Sequence, residues 1–200
     1  MNILAVDATG EVLSIALEAG GKAYATRKSG KRPHDETLLP AIEAVLKRAK
    51  IPWDALDAVA AASGPGRFTG IRIGLSFISI VGMKLRIPAL ALSRLEAAAE
   101  KSGTDDVLAA LPGWKNEVYH QRFRRRKSGL AAEGAAEWTA PEAWPRVRAD
   151  AEARGLAVAY GDTDAADLIP VARRRLKAKK IPPFEPFYLK PAGYEKKPAR

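Results

Sequence analysis

Twelve consecutive residues, Ser63-Gly64-Pro65-Gly66-Arg67-Phe68-Thr69-Gly70-Ile71-Arg72-Ile73-Gly74, combine four glycines, a proline and two arginines. Between a strand and a helix, such a turn directs free amides at whatever occupies it, and can hold a phosphate, a carboxylate or another anion. It is not a Walker loop, because no Gly-Lys-Ser/Thr follows Gly66. Glycines at 64, 66, 70 and 74 also miss the offsets of a dinucleotide fingerprint. Tight turning and helix packing account for the same glycines. Asp7 ends an apolar run, a place where carboxylates of α/β folds face nucleotide and metal. Alone, it reads first as an Asx turn with Thr9-Gly10. Asp7, Gly64, Gly66, Arg67 and Thr69 are therefore the candidate nucleotide or anion turn.

Little else points to catalysis. The chain has no cysteine, which excludes a disulfide scaffold, a thiolate metal site and a cysteine nucleophile. Its two histidines are His34, beside Asp35 and Glu36, and His120. Neither has partners at metal-ligand spacing, so the expectation is no catalytic residue and no metal. His34 reads as a helix cap or surface group.

The elements around these residues follow from periodicity. Ile3–Val6, Val12–Leu17 and Lys22–Arg27 read as an antiparallel meander, with Gly20-Gly21 as one turn. Leu38, Leu39, Ile42, Val45, Leu46 and Ala49 fall at helical spacing, with Pro40 awkward in the first turns. Asp57–Ala62 is a buried strand, Thr69–Leu85 a helix and Pro88–Leu92 a short strand. Ser93 and Glu96 open a further helix with a capping-box pattern. Asp105–Leu111 and Glu117–Phe123 read as strands about Pro112-Gly113, and Leu130–Trp138 as a weak third. Thr139-Ala140-Pro141-Glu142 repeats the capping-box pattern for a helix running to about Arg154, kinked at Pro145. Leu156–Tyr160 is a strand, Asp164–Lys179 a helix despite Pro170, and Phe187–Leu189 an edge strand. The result is an α/β chain on mixed sheets, with a polar break at residues 100–104. No internal repeat is visible by eye.

Thirty-three basic and 23 acidic residues give a net charge of +10 over 200 residues. Residues 1–100 contribute +3 and residues 101–200 contribute +7, much of it from Arg124–Lys127 and Arg173–Lys180. Such runs attract phosphate backbones, or simply decorate a turn and a helix end. Ile73–Met83, the most apolar stretch, is 11 residues long, short of the ~20 that span a bilayer. With no signal-peptide pattern, the expected location is cytoplasmic and no membrane partner is expected.

The Gly64–Gly74 run resembles the G-P-G-x-F-T-G-x-R-x-G signature of the TsaB (YeaZ) family. Ile3–Asp7, the histidine-led segment His34–Ile42 and Ile87-Pro88 through Ser93-Arg94-Leu95-Glu96-Ala97 are similar to that family in order and spacing. Glu117-Val118-Tyr119 and Tyr188-Leu189-Lys190 add a thinner match. The resemblance implies an actin-like ATPase (ASKHA) fold of two related lobes, residues 1–101 carrying the partner-binding helices and residues 102–200 forming a shortened second lobe and tail. It implies a non-catalytic partner of TsaD, a threonylcarbamoyltransferase, in making N6-threonylcarbamoyladenosine at position 37 of tRNAs that read codons beginning with A. The metal-binding histidines of TsaD-like chains fall on Arg94 and Ala98, neither a metal ligand. The implied partners are a TsaD-type subunit, a TsaE-type ATPase and tRNA through the complex, and a second copy when alone. No cofactor is implied for the chain itself, with ATP or ADP placed at the interface with TsaD.

The implied docking surface is the helix pair beginning at His34 and Thr69: His34, Leu38, Ile42, Thr69, Gly70, Ile73, Gly74, Phe77, Ile78 and Val81. Gly70 and Gly74 would thin the docking side, so that Gly74→Arg blocks docking and spares the fold. An actin-like ATPase or small-molecule kinase using Asp7 and the Gly64–Gly70 turn is the alternative.

Overall fold

A computed structural model of the chain describes residues 1–30, 32–127 and 129–190. The first sheet begins as the expected meander of β1 (Ile3–Asp7), β2 (Leu13–Ala19) and β3 (Lys22–Lys28). Gly20 and Gly21, both at positive φ, close the β2–β3 hairpin with a two-residue turn that a side chain would strain. Helix α1 (His34–Ala49) then crosses back, Asp35 and Glu36 in its first turn and Lys47 and Arg48 in its last complementing the helix dipole. It runs straight through Pro40. Strand β4 (Ala58–Gly64), helix α2 (Phe68–Leu85) and strand β5 (Ala89–Ser93) complete a sheet of order β3-β2-β1-β4-β5, parallel from β1 to β5.

After α3 (Arg94–Ser102) the pattern starts again. Strands β6 (Asp106–Pro112), β7 (Val118–Arg126) and β8 (Gly129–Thr139) form a second meander, followed by α4 (Trp144–Ala153), β9 (Ala157–Tyr160) and α5 (Ala165–Lys177). The second sheet has the order β8-β7-β6-β9, with β9 parallel to β6. Strand for strand this repeats β3-β2-β1-β4. Two copies of one β-β-β-α-β-α unit are thus present, a repeat that no shared residues reveal.

Alternation along β1 separates the layers. Leu4 and Val6 face a core built with α1 and α2, while Ile3 and Ala5 face a core completed by Ala165, Leu168, Ile169, Val171 and Ala172 of α5. α5 therefore covers the first sheet, its start fixed by the Ala165 amide donating to Ser14 Oγ at 2.9 Å. α3 turns Leu95, Ala98 and Ala99 to the second sheet. The layers run α1/α2, first sheet, α5/α3, second sheet, α4.

Several local expectations change. Thr139 ends β8 paired with Val118, and its hydroxyl meets His120 Nε2 at 2.6 Å, so it caps no helix. α4 begins at Trp144, with Pro145 inside its first turn. At α3, Ser93 Oγ accepts the Glu96 amide, but the Glu96 carboxylate turns away to Arg174 and Arg175. The full capping box is that of Asp164 and Asp167 on α5. Residues 187–189 form no strand, although the Phe187 amide donates to Ser63 O at 2.7 Å.

The glycines of α2 face inward. A Cβ on Gly70 would run into the Ala8 carbonyl, whereas one on Gly74 would sit 3.5 Å from the Ala61 methyl, an ordinary contact. Gly70→Ala should cost about 2–3 kcal/mol through overpacking against backbone. Gly74→Ala should be neutral or stabilising by up to about 1 kcal/mol, because alanine favours the helix. Urea denaturation of the two variants measures the contrast.

Candidate functional site

The carboxyl ends of parallel strands are where open α/β sheets bind ligands. Here three such ends, those of β1, β4 and β9, converge on one guanidinium. Arg94, the first residue of α3, is 3% exposed. Its Nε lies 3.2 Å from Asp7 Oδ2 and donates to Thr163 Oγ1 at 3.1 Å. Nη1 donates to Pro65 O at 2.9 Å, and Nη2 donates to Asp162 Oδ1. Pro65 follows β4 and Asp162 follows β9, so the arginine ties together the equivalent βα turns of the two repeats.

Asp7 is the candidate carboxylate and lies in this cluster, 3% exposed. Its Oδ1 accepts the Thr9 amide at 2.8 Å and the Thr9 hydroxyl at 2.6 Å, the expected Asx geometry. Its Oδ2 faces Arg94. Both oxygens are thus engaged by the protein, and Asp7 is not poised to hold a divalent ion or its nucleotide.

The Gly64–Thr69 turn is partly engaged by the chain itself. The Arg67 amide donates to Thr9 O at 2.7 Å and its guanidinium to Glu11 Oε1 at 2.7 Å. Gly64 has φ +122° and joins Pro65 through a cis peptide, and a Cβ there would strike the Phe187 carbonyl. Gly66 leaves just enough room for Thr9, 2.7 Å from where its Cβ would lie. The tail that covers this turn continues with Tyr188, whose ring lies 4.9 Å from that of Phe68 and whose hydroxyl accepts from Arg72 Nε at 3.1 Å. Lys190 then reaches Glu117 at 2.6 Å. The two thin motifs of the second half, Glu117–Tyr119 and Tyr188–Lys190, meet as this strap. In front of the turn remains a cleft of about 1120 Å³ that Thr9, His34, Gly66, Thr69, Arg94 and Trp114 help to line.

Of the expected docking residues, Leu38, Ile42 and Ile78 are core side chains at 4%, 0% and 0% exposure. Gly70 and Gly74 are buried against the first sheet. The helix pair is thin where it meets its own sheet, so Gly74→Arg would disturb the fold rather than a docking face. His34 bridges Ala8 O at 3.1 Å and Glu11 O at 3.2 Å, fixing the start of α1 to the β1–β2 loop. Thr69 is exposed, and Ile73, Phe77 and Val81 are half-buried, packed against the rim of the core beneath α1 and α2. The sequence reading missed Leu39, Ile80 and Met83, which are 45%, 65% and 74% exposed. The signal was there, since a helix apolar on every side must also present an outer apolar face. α2 is long and apolar enough to cross a membrane by length and composition, but a third of it is buried in this fold.

The arginine runs are spent internally. Arg122 and Arg124 both hydrogen-bond Asp106, and Arg125 and Arg126 pair with Asp105 and Glu133. Arg173 pairs with Glu18, while Arg174 and Arg175 share Glu96. The Arg122 and Arg124 hydrogen bonds hold the Asp106 carboxyl at about 2, against desolvation that acts the other way. Burial lowers the His120 imidazole below its usual range.

A chain of two repeated units on two mixed sheets flanked by helices defines a member of the actin-like ATPase fold class, one whose equivalent βα turns are tied by an internal arginine. The family described as "TsaD: tRNA N6-adenosine threonylcarbamoyltransferase" matches residues 26–142. The tRNA threonylcarbamoyladenosine biosynthesis protein TsaB of Escherichia coli is 27% identical, over 95% of both chains. The Haemophilus influenzae TsaB is 30% identical over 64% of this chain and 56% of its own length. A crystal structure from Pseudomonas aeruginosa, described as an uncharacterized protein with similarity to peptidase YEAZ, superposes with a TM-score of 0.75 at 26% identity. It covers 94% of this chain and 99% of that one. The chain belongs to the family so matched, in its TsaB (YeaZ) branch.

Two measurements test the site. Arg94→Met leaves the buried Asp7 carboxylate uncompensated and should cost about 3–5 kcal/mol in urea denaturation. Arg94→Lys, lacking the planar fork, should recover only part. For Asp106 the folded carboxyl titrates at about 2 against the ordinary 3.8. Its stabilisation is therefore present above pH 3.8 and lost as pH falls toward 2. Asp106→Asn should flatten that part of the stability–pH curve.

Proposed function

We propose that the chain is a non-catalytic partner and activator of a TsaD-type threonylcarbamoyltransferase, in the formation of N6-threonylcarbamoyladenosine at position 37 of tRNAs reading codons that begin with A. The observation that carries this reading is the uncovered apolar strip of α1 and α2. Leu39, Ile80 and Met83 stand out from it, with Ile73, Phe77 and Val81 half-buried between them. An apolar strip on one side of a helix pair, whose other side already covers a sheet, suits docking against helices of a partner. The pathway named for the TsaB relatives supplies the partner.

The closed turn supports the non-catalytic part. A kinase or ATPase working through Asp7 would need a free carboxylate, and here Thr9 and Arg94 engage both of its oxygens, while Thr9 O takes the Arg67 amide of the turn. These residues do not fit a metal-bound nucleotide phosphate. In this reading ATP or ADP belongs at the interface with the TsaD-type subunit, and a TsaE-type ATPase and tRNA are reached through the complex. The chain pairs with a second copy through the same strip when alone, and works in the cytoplasm.

The test is reconstitution. Threonylcarbamoyladenosine formed on an ANN-decoding tRNA should depend on this chain, and unchanged product without it removes the reading. Ile80→Glu with Met83→Glu should abolish co-purification with the TsaD-type subunit and the homodimer. Both side chains are exposed, so the melting temperature should move by no more than about 2 °C.

A further inference from the structure

Once the arginine runs are neutralised, the remaining positive charge has a definite place. It lies on the edge of the first sheet opposite Arg94, where β1, β3, β4 and β5 begin and β2 ends, as the pairings Ile3↔Glu18, Ala19↔Lys22 and Val59↔Ala89 define. α1 and α2 run back along the parallel strands and end at this edge, and α5 approaches it through Arg173 on Glu18 before Lys180 turns toward the cavity that Ser93 and Glu96 also line. Lys22, Lys47, Lys50, Lys84 and Arg86 are exposed there, and Lys177, Lys179 and Lys180 lie at the end of α5. None of these eight pairs with a carboxylate among the described residues. Arg48 donates to the Ala25 carbonyl at 2.8 Å and pairs with no carboxylate among the described residues. Of the nearby acids, Glu18 is taken by Arg173 and Asp57 by the amino terminus and the Asn2 amide. Glu43 forms no bridge to Lys47 one turn on, and Asp54 is exposed beside Trp53.

Backbone geometry gives a second, independent observation. All three helices end on a cation in the left-handed region: Lys50 at φ 57°, Arg86 at φ 57° and Lys179 at φ 53°. Each is followed closely by Ile-Pro, as Ile51-Pro52, Ile87-Pro88 and Ile181-Pro182. The closing bonds are of Schellman type, from Ile51 N to Leu46 O, Ile87 N to Gly82 O and Lys180 N to Arg175 O. That position ordinarily holds glycine, because a Cβ is strained there. Three long cationic side chains are held at strained positions, and none gains a carboxylate partner among the described residues. Dipole complementation explains a cation in a last turn, but it does not require one at the left-handed residue beyond it.

We infer that this edge is a docking surface for the phosphodiester backbone of tRNA, read by charge and not by sequence. The inference rests on the tRNA-modification reading above. Lys50 and Arg86 lie past the ends of α1 and α2, at the rim of the apolar strip, so a protein seated on that strip leaves them beside it. One bound tRNA then touches both subunits, with the modified base at the transferase and a remote stretch of backbone on this edge.

The test uses the complex with the TsaD-type subunit and the triple variant Lys50→Gly, Arg86→Gly, Lys179→Gly. Relief of strain should raise the melting temperature, by about 2–4 °C per site. tRNA affinity at low salt should fall about tenfold or more, and the slope of log K against log salt should shrink by about one for each phosphate the edge no longer neutralises. A variant that is stabler and binds more weakly supports the proposal. Should glycine disturb the helix ends, Lys50→Asn, Arg86→Asn, Lys179→Asn keeps the left-handed turn and tests the same charges. tRNA affinity equal to wild type in the folded variant overturns it. Equal tRNA affinity with abolished binding to phosphatidylserine vesicles also overturns it, and assigns the edge to a membrane surface. Product formation that requires this chain while the variant binds tRNA normally sinks only this inference. Product formation indifferent to the chain sinks the underlying reading.

Discussion

One guanidinium decides what the rest of this molecule can do. Arg94 sits where three strand ends meet, in a fold that reserves that place for ligands. A buried carboxylate needs a compensating charge, and Asp7 obtains it from Arg94 instead of from a bound cation. The same group hydrogen-bonds Pro65 and Asp162, so the two repeats are joined at their equivalent βα turns.

The charge pattern follows a similar division. Arginines in the second half serve as cross-links between elements: Arg122 and Arg124 on Asp106, Arg174 and Arg175 on Glu96. Lysines, with compact and strongly hydrated heads, are left at the rim. The arginines of the two basic runs are therefore architecture, and the cations available to an outside partner are the lysines that end the second run together with others dispersed along the chain.

Much of the first sheet was legible because its signals are local. Gly20-Gly21 specifies a hairpin, and the Leu38–Ala49 periodicity specifies a helix face. Legibility failed where a side chain chose a distant partner. The Thr139–Glu142 pattern is a sound helix start, yet pairing of β8 to β7 keeps Thr139 in the sheet, and Glu96 answers to α5 instead of to Ser93. The glycines of α2 are periodic, but periodicity cannot tell which side meets the sheet, and Gly70 is reserved for the Ala8 carbonyl. Arg94 was visible as the residue after a predicted helix cap, Ser93. Its role required three loops, the farthest carrying Asp7, to be seen together.

The placement of α5 bears on how the chain is made. Ile3, Ala5, Ala58, Ala60, Leu90 and Leu92 form an apolar sheet face completed by residues 165–172. During synthesis the first five strands leave the ribosome long before that cover exists. The nascent first half therefore emerges with one greasy face bare, for the time needed to translate roughly seventy more residues. Its hydrogen-bonded framework forms early, but its protection from chaperones and from other chains arrives only with the last helix.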